Sequence, residues 1–98
     1  MEKDKKGQQI QVDIEPAQAE GVYSNLVLLS HSPSEFILDF ARVLPGTRKA
    51  KVYSRIIMTP QNANSLLKAL QTNIERFEEQ FGKIRGAGTA SKGDIGFK

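Results

Sequence analysis

The chain contains no cysteine and no tryptophan, and it has a single histidine among its 98 residues. The absence of cysteine excludes a disulfide framework, a thiol nucleophile and thiolate metal ligands. It is compatible with a reducing compartment, and we expect a cytoplasmic protein. No run approaches the roughly 18 apolar residues of a membrane-spanning helix, and the N-terminal MEKDKKGQQ lacks the apolar core of a secretory signal. We therefore expect no membrane association.

The excess of positive charge is confined to the two ends of the sequence. The formal net charge is +3, but residues 8–84 carry eight acidic and eight basic side chains, which cancel. Residues 1–7 contribute +1 and residues 85–98 contribute +2. The folded body should therefore be neutral, and the isoelectric point near 9.3 overstates how basic it is.

Alternating and β-branched runs predict four successive strands, at residues 8–15, 23–30, 35–44 and 50–58. The first strand has Ile10, Val12 and Ile14 on one face. The third is expected to direct Phe36, Leu38 and Phe40 inward and Glu35, Ile37, Asp39 and Ala41 outward. Pro45-Gly46 predicts the turn between the last two strands, because proline presets its first central position and glycine accepts a positive φ at the second.

A long helix is predicted over residues 60–81. Thr59 suits the N-cap and Pro60 the first helical position, where a missing N–H is not needed. Gly82 is the expected end. Apolar residues recur at spacings of 4, 3, 4, 3 and 4 along one face: Ala63, Leu67, Leu70, Ile74, Phe77 and Phe81.

These elements predict an α+β domain, a four-stranded antiparallel meander followed by one long C-terminal helix packed across the sheet. We expect a disordered N-terminal lead at residues 1–9, a single domain at 10–84 and a flexible glycine-rich tail at 85–98.

The only histidine, His31, lies in the polar stretch SHSPSE at residues 30–35. A Ser-His hydrolase needs a base oriented by a third group and an oxyanion hole. Serines adjacent to His31 in sequence cannot easily present Oγ to its ring, and no Gly-x-Ser-x-Gly elbow is present. We predict a turn here and no catalytic residue. One histidine without cysteine leaves only carboxylates for a metal, and no phosphate or dinucleotide loop occurs, so we expect no metal, no cofactor and no enzyme.

The segment at residues 41–55, ARVLPGTRKAKVYSR, is the one uneven charge distribution in the body, with five bases and no acid. Its cations are the candidate nucleic-acid contacts: Arg42, Arg48, Lys49, Lys51 and Arg55. A basic hairpin that carries Tyr53 resembles a β-ribbon that grips phosphates. The competing interpretation pairs Arg42 and Arg55 with Asp39 or Glu35 across the sheet and uses the lysines to protect a sheet edge.

The aromatic end of the helix is the second candidate surface. A helix of 22 residues is about 33 Å long at ~1.5 Å per residue, long enough to overhang a twisted sheet. Exposed phenylalanines are unfavourable, and near-heptad spacing suits packing against a partner helix. We expect a homodimer whose interface includes Leu70, Ile74, Phe77 and Phe81. The alternative is that these residues pack on the chain's own sheet.

Four short motifs carry a resemblance that spans residues 19–82: GVYSN (21–25), SHSPSEF (30–36), PG (45–46) and SRIIMTP (54–60). This segment resembles a family of short bacterial proteins known only as a domain of unknown function. The family has no assigned catalytic or binding residues, so the resemblance implies relatives and no activity. In element order alone, the predicted fold is also similar to the SecB-type export chaperones, and fold does not determine function.

We predict a small cytoplasmic, homo-oligomeric binding or scaffolding protein without enzymatic activity, with a chaperone-like role as one form of that function. The alternative is a nucleic-acid-associated protein that uses the hairpin at residues 42–55.

Overall fold

A computed structural model describes residues 9–86 of the chain. The elements follow in the order α1 (Pro16–Ala19), β1 (Leu26–His31), β2 (Phe36–Val43), β3 (Ala50–Met58) and α2 (Pro60–Phe81). The three strands form one antiparallel sheet in the order β1-β2-β3. The α+β class, the antiparallel sheet and the long C-terminal helix are therefore confirmed. Apart from their innermost residues, the predicted N-terminal lead and glycine-rich tail lie outside the described residues.

The strand predicted at residues 8–15 is absent from the sheet, and the prediction of four strands is wrong for the single chain. The described part of this segment, residues 9–15, has no regular secondary structure and leads into α1. Ile10 and Val12 are each 86% exposed. Alternation shows which face of a strand would be apolar, but a strand also needs a neighbouring edge that completes its hydrogen bonds. In the described residues, this segment pairs with neither edge strand of the sheet.

Short turns join the three strands. Between β1 and β2, the Ser32 amide donates to the Glu35 carbonyl at 2.9 Å, and the Ser32 hydroxyl accepts from the amides of Ser34 and Glu35. Between β2 and β3, the Thr47 amide donates to the Leu44 carbonyl at 3.3 Å, and Gly46 has φ = 81°. The predicted Pro45-Gly46 turn is thus confirmed.

A β-bulge divides the pairing of β2 with β3. Phe40 lies opposite Ser54 and Ala41 lies opposite Val52, so Tyr53 is the extra residue. Ala41, predicted to face outward, is fully buried, with 0% exposure. The Ala41 carbonyl accepts hydrogen bonds from the Ser24 hydroxyl at 2.8 Å and from the Asn25 amide at 3.1 Å, so the segment before β1 lies against β2 at this position. Two-residue alternation along β2 does not reveal this neighbour.

The helix α2 has the bounds that the sequence predicts. The Thr59 hydroxyl accepts from the Asn62 amide at 3.1 Å, and Pro60 is the first helical residue. At the other end Gly82 has φ = 95°, and its amide donates to the Glu78 carbonyl at 2.9 Å. The Ile84 amide then donates to the Glu78 carboxylate at 3.1 Å. Both ends are therefore capped by local hydrogen bonds.

Packing of the helix across the sheet is not observed. No residue of α2 is buried, and its main neighbour in the sheet is β3, the strand that precedes it. Only Thr59 separates β3 from α2, which is shorter than the usual connection of two to six residues between a strand and a helix. So short a connection does not turn the helix back over a face of the sheet.

The buried core of the described chain is small. Val27, Leu38 and Ala41 are its buried apolar residues, and Phe36 and Phe40 are half-buried. Leu38 is thus buried as predicted, whereas Phe36 and Phe40 are only half-buried, as are Ile37 and Asp39 on the opposite face. Twenty large apolar side chains in residues 9–86 remain exposed. Such extensive exposure is typical of a chain that buries apolar surface against a partner. No described helix combines the length and apolarity needed to cross a bilayer.

Candidate interaction surfaces

One face of α2 forms a continuous apolar surface, which we call the helix stripe. Its large members are 39–70% exposed: Leu67, Leu70, Ile74, Phe77 and Phe81. The rings of Phe77 and Phe81 lie 5.0 Å apart between centroids, at an angle of 47°. All four residues predicted for the oligomer interface therefore lie together on one exposed face, and no part of the described chain buries them.

The positions that flank the helix stripe are nearly free of charge. In heptad terms, Leu67, Ile74 and Phe81 occupy a positions, and Leu70 and Phe77 occupy d positions. The flanking e and g positions are Asn64, Leu66, Gln71, Asn73, Glu78 and Gln80. Charged residues at these positions normally select partners by attraction and repulsion. With Glu78 as the one charge there, the helix stripe carries no repulsion between like charges that opposes pairing with an identical helix.

Arg42, the first predicted nucleic-acid contact, is held by two tyrosines. Its Nε and Nη2 donate to the Tyr23 carbonyl at 3.3 and 3.2 Å. Its guanidinium carbon lies 4.3 Å from the ring centroid of Tyr53 and 5.9 Å from that of Tyr23. Neither the expected partner Asp39 nor Glu35 is its contact. The Arg42 side chain thus connects the segment before β1 to the sheet through hydrogen bonds and cation–π attraction.

Lys51 completes what we call the cation–aromatic cluster, which consists of Tyr23, Arg42, Lys51 and Tyr53. Lys51 lies opposite Arg42 in the register of β2 and β3, and its Nζ is 5.2 Å from the Tyr53 ring centroid. The sequence marked Tyr53 as part of the hairpin but gave no sign of Tyr23. That tyrosine lies far from the hairpin in sequence, and only the pairing of β1 with β2 brings it close.

Arg55, the last cation of the hairpin, forms an ion pair with Asp39. They lie opposite each other on β3 and β2. Nε and Nη2 donate to the two carboxylate oxygens at 2.7 and 2.9 Å. These hydrogen bonds and the positive charge lower the pKa of Asp39, although burial acts in the opposite direction, and they raise the pKa of Arg55. The predicted pairing of Arg55 with Asp39 is thus confirmed.

Arg48 and Lys49 lie exposed in the connection between β2 and β3. The Lys49 amide donates to the Thr47 hydroxyl at 3.0 Å, which fixes the backbone while the side chain extends into solvent. Together with Lys51 these two residues are the exposed cations of the hairpin that form no ion pair within residues 9–86.

His31 ends β1 and stacks on Phe36, with ring centroids 5.4 Å apart and an angle of 25° between the planes. The hydroxyl of neighbouring Ser32 accepts hydrogen bonds from the turn. Residues 32–35 therefore form the predicted turn, whereas Ser30 and His31 belong to β1, so His31 is a strand residue and not a turn residue. Within residues 9–86, no group of three or more histidine, cysteine or acidic side chains is placed to hold a metal ion.

The fold and these surfaces define a small α+β protein with an antiparallel sheet, a protruding amphipathic helix and extensive exposed apolar surface. A family model described as a protein of unknown function (DUF3467) matches residues 1–86. The chain belongs to this family, which agrees with the resemblance seen in its motifs. No curated protein and no solved structure matches the chain.

Proposed function

We propose that this protein is a homo-oligomeric binding or scaffolding protein of the bacterial cytoplasm, without enzymatic activity, whose helix stripe pairs with that of a second copy. The observation that carries the proposal is the exposure of five large apolar side chains at heptad spacing along α2. A symmetric pair of identical helices is the simplest arrangement that covers them, because the same surface then serves both copies.

The magnitude of the burial favours association. Removing a Leu, Ile or Phe side chain from water contributes about 1.5–3 kcal/mol when burial is complete. Two copies would bring ten such side chains together, since each helix stripe contributes five. Association itself costs an estimated 4–15 kcal/mol in lost freedom of motion, so even partial burial of the ten side chains offsets that cost.

A charge placed inside or outside the helix stripe tests the proposal. Ile74→Lys puts an ammonium group at its centre, whereas Thr72→Lys places the same group on the opposite, solvated face of α2. We expect light scattering to give the mass of a dimer for the unmodified chain and for Thr72→Lys, and of a monomer for Ile74→Lys. A monomeric unmodified chain, or a dimer unaffected by Ile74→Lys, would contradict the proposal.

A chaperone-like role rests on the sheet. Leu29 and Ile56 on one face and Ile57 on the other are exposed and remain available after the helices pair. Such surface suits transient contact with apolar segments of unfolded clients. The full chain should then slow the aggregation of a chemically unfolded test protein, and Ile57→Asp should weaken this protection while Lys68→Asp, on α2, should not. Equal protection by both variants, or none by the unmodified chain, would remove the chaperone-like role.

Nucleic-acid binding is the second candidate function, and the observation that favours it is the cation–aromatic cluster. Exposed tyrosine faces beside cations stack bases while the cations attract phosphates. Of the five predicted contacts, Arg42 and Arg55 are already engaged within the chain, which leaves Arg48, Lys49 and Lys51 for phosphate. Because only three of the five predicted cations are left for phosphate, self-association is the better-supported function.

A further inference from the structure

We propose that residues 9–15 of one copy add to the free edge of β3 in a second copy, as a fourth strand exchanged between the two. The inference rests on the proposed self-association, but it concerns a different surface from the helix stripe. It identifies both a binding edge and the segment of this chain that occupies the edge.

The segment has the pattern of a strand that lacks a neighbour. Ile10, Val12 and Ile14 alternate with polar residues, and all three are exposed in the single chain. An alternating strand is stable when its apolar face is covered and its backbone groups are paired. The single chain satisfies neither condition for residues 9–15, so the missing partner is a sheet edge.

Within residues 9–86 the three-stranded sheet offers two free edges, since β1 and β3 each have one neighbour. Charge distinguishes them. The segment carries Asp13 and Glu15 and no base, β3 carries Lys51 and Arg55 and no acid, and β1 carries neither acid nor base apart from His31. Cations on an edge strand oppose pairing with an identical edge, whereas opposite charges on adjacent strands attract. Arg55 is already paired with Asp39, but its side chain stays 61% exposed, so the charges favour β3 over β1.

The alternation of side chains also fits β3. Arg55 lies on the face of Asp39, while Ile56 lies on the opposite face, level with the buried Leu38. If the carboxylates of the added strand lie on the face of Arg55, its three apolar residues necessarily lie on the face of Ile56. One arrangement thus brings the carboxylates to the face of Arg55 and extends the buried side of the sheet, while Lys51, opposite Arg42, lies on the Ile56 face.

A second copy is the natural source of the strand. Residues 16–25 lead from the segment into β1, at the edge of the sheet opposite β3. To reach β3 of its own chain, the segment would have to cross the full width of the sheet. Exchange between two copies gives each sheet a fourth strand through two equivalent contacts that a two-fold axis relates.

Disulfide trapping tests the exchange directly, because the chain has no cysteine of its own. Ile10→Cys, Val12→Cys and Ile14→Cys would each be mixed with an equal amount of Ile56→Cys chain and oxidised. Peptide mass spectrometry would then identify disulfides that join the two kinds of chain. Leu29→Cys is the matched control, since Leu29 and Ile56 flank Leu38 in register and are 47% and 42% exposed, but Leu29 lies on β1.

We expect at least one of the three N-terminal positions to link to position 56 of the other chain, at ten times the yield with position 29 or more. Preferential linkage to position 29, or no linkage to position 56, overturns the strand exchange. Light scattering on the same samples separates the two proposals. A dimer without linkage to position 56 leaves helix pairing intact and rejects the exchange, whereas a monomer rejects both.

Discussion

The guanidinium of Arg55 donates two hydrogen bonds to the carboxylate of Asp39, at 2.7 and 2.9 Å, across the pairing of β3 with β2. The Arg55 side chain is 61% exposed and that of Asp39 is 13% exposed. The contact neutralises the central carboxylate of the sheet and occupies a cation that the sequence offered for phosphate binding. It also places a partly exposed positive charge beside the free edge of β3.

Asp39→Asn tests the pair through its dependence on pH. The hydrogen bonds from Arg55 lower the pKa of Asp39 in the folded state. The resulting stabilisation is fully present above the unfolded-state pKa of about 3.9 and is lost as pH falls through the lower folded-state value. We expect the urea midpoint of the unmodified chain to exceed that of Asp39→Asn at pH 7, and the gap to close toward pH 2.

Glu79→Gln, on the exposed face of α2, controls for the loss of one carboxylate. A gap between the unmodified chain and Asp39→Asn that stays constant from pH 7 to pH 2 would show that the ion pair does not stabilise the fold.

Ala41→Leu tests the coverage of the central strand. Ala41 has 0% exposure, and the Ser24–Asn25 segment bonds to its carbonyl, so a larger side chain must displace neighbours. Overpacking of this kind costs about 1–3 kcal/mol in the free energy of unfolding. Ala50→Leu is the matched change at an exposed position of β3 and should cost less than about 0.5 kcal/mol, as surface substitutions usually do. Equal urea midpoints for the two variants would contradict the burial of Ala41.

Gly46→Ala tests the β2–β3 turn. Gly46 has φ = 81°, and an added Cβ would meet no atom within 4 Å. The cost is therefore conformational alone, roughly 1–2 kcal/mol for a side chain in the left-handed region. Gly46→Asn should cost less, since asparagine tolerates this region better. Urea unfolding measures both, and the turn geometry would be wrong if alanine and asparagine were equally neutral.

Replacing Arg48, Lys49 and Lys51 by serine tests the nucleic-acid alternative. If these residues bind phosphates, the variant's affinity for duplex DNA should fall and the slope of log K against log salt should flatten by two to three units, at about 0.9 per phosphate. The terminal lysines are the same in both full-length proteins, so their contribution cancels in the comparison. On the self-association account we expect weak binding with the same slope for both.

The helix α2 and the β2–β3 turn could be predicted from the sequence, because the residues at their ends act through local hydrogen bonds and backbone preferences. Thr59, Pro60 and Gly82 define α2 through hydrogen bonds and backbone preferences within a few residues, and Pro45-Gly46 does the same for the β2–β3 turn. The helix stripe was predictable for a related reason, because its spacing is a property of one helix.

What the sequence could not predict depends on contacts between distant segments. The Ala41 carbonyl accepts a hydrogen bond from Ser24, and the Arg42 guanidinium donates to the carbonyl of Tyr23, and both contacts join segments that are distant in sequence. The predicted first strand is absent for a different reason. Its alternating pattern is present, but the segment does not lie beside a sheet edge that could complete its hydrogen bonds. The alternation of Ile10, Val12 and Ile14 shows that the segment favours a β-strand. Whether it forms one depends on a neighbouring strand edge with which it can pair.

The central claim, that this chain buries its apolar surface against a second copy, is tested most directly by unfolding at different protein concentrations. Urea unfolding followed by circular dichroism, from about 1 to 100 µM chain, measures the link between folding and association. Since association stabilises the folded state by mass action, we expect the midpoint to rise steadily with concentration. A midpoint that stays constant over this range, together with a monomeric mass, would contradict the account.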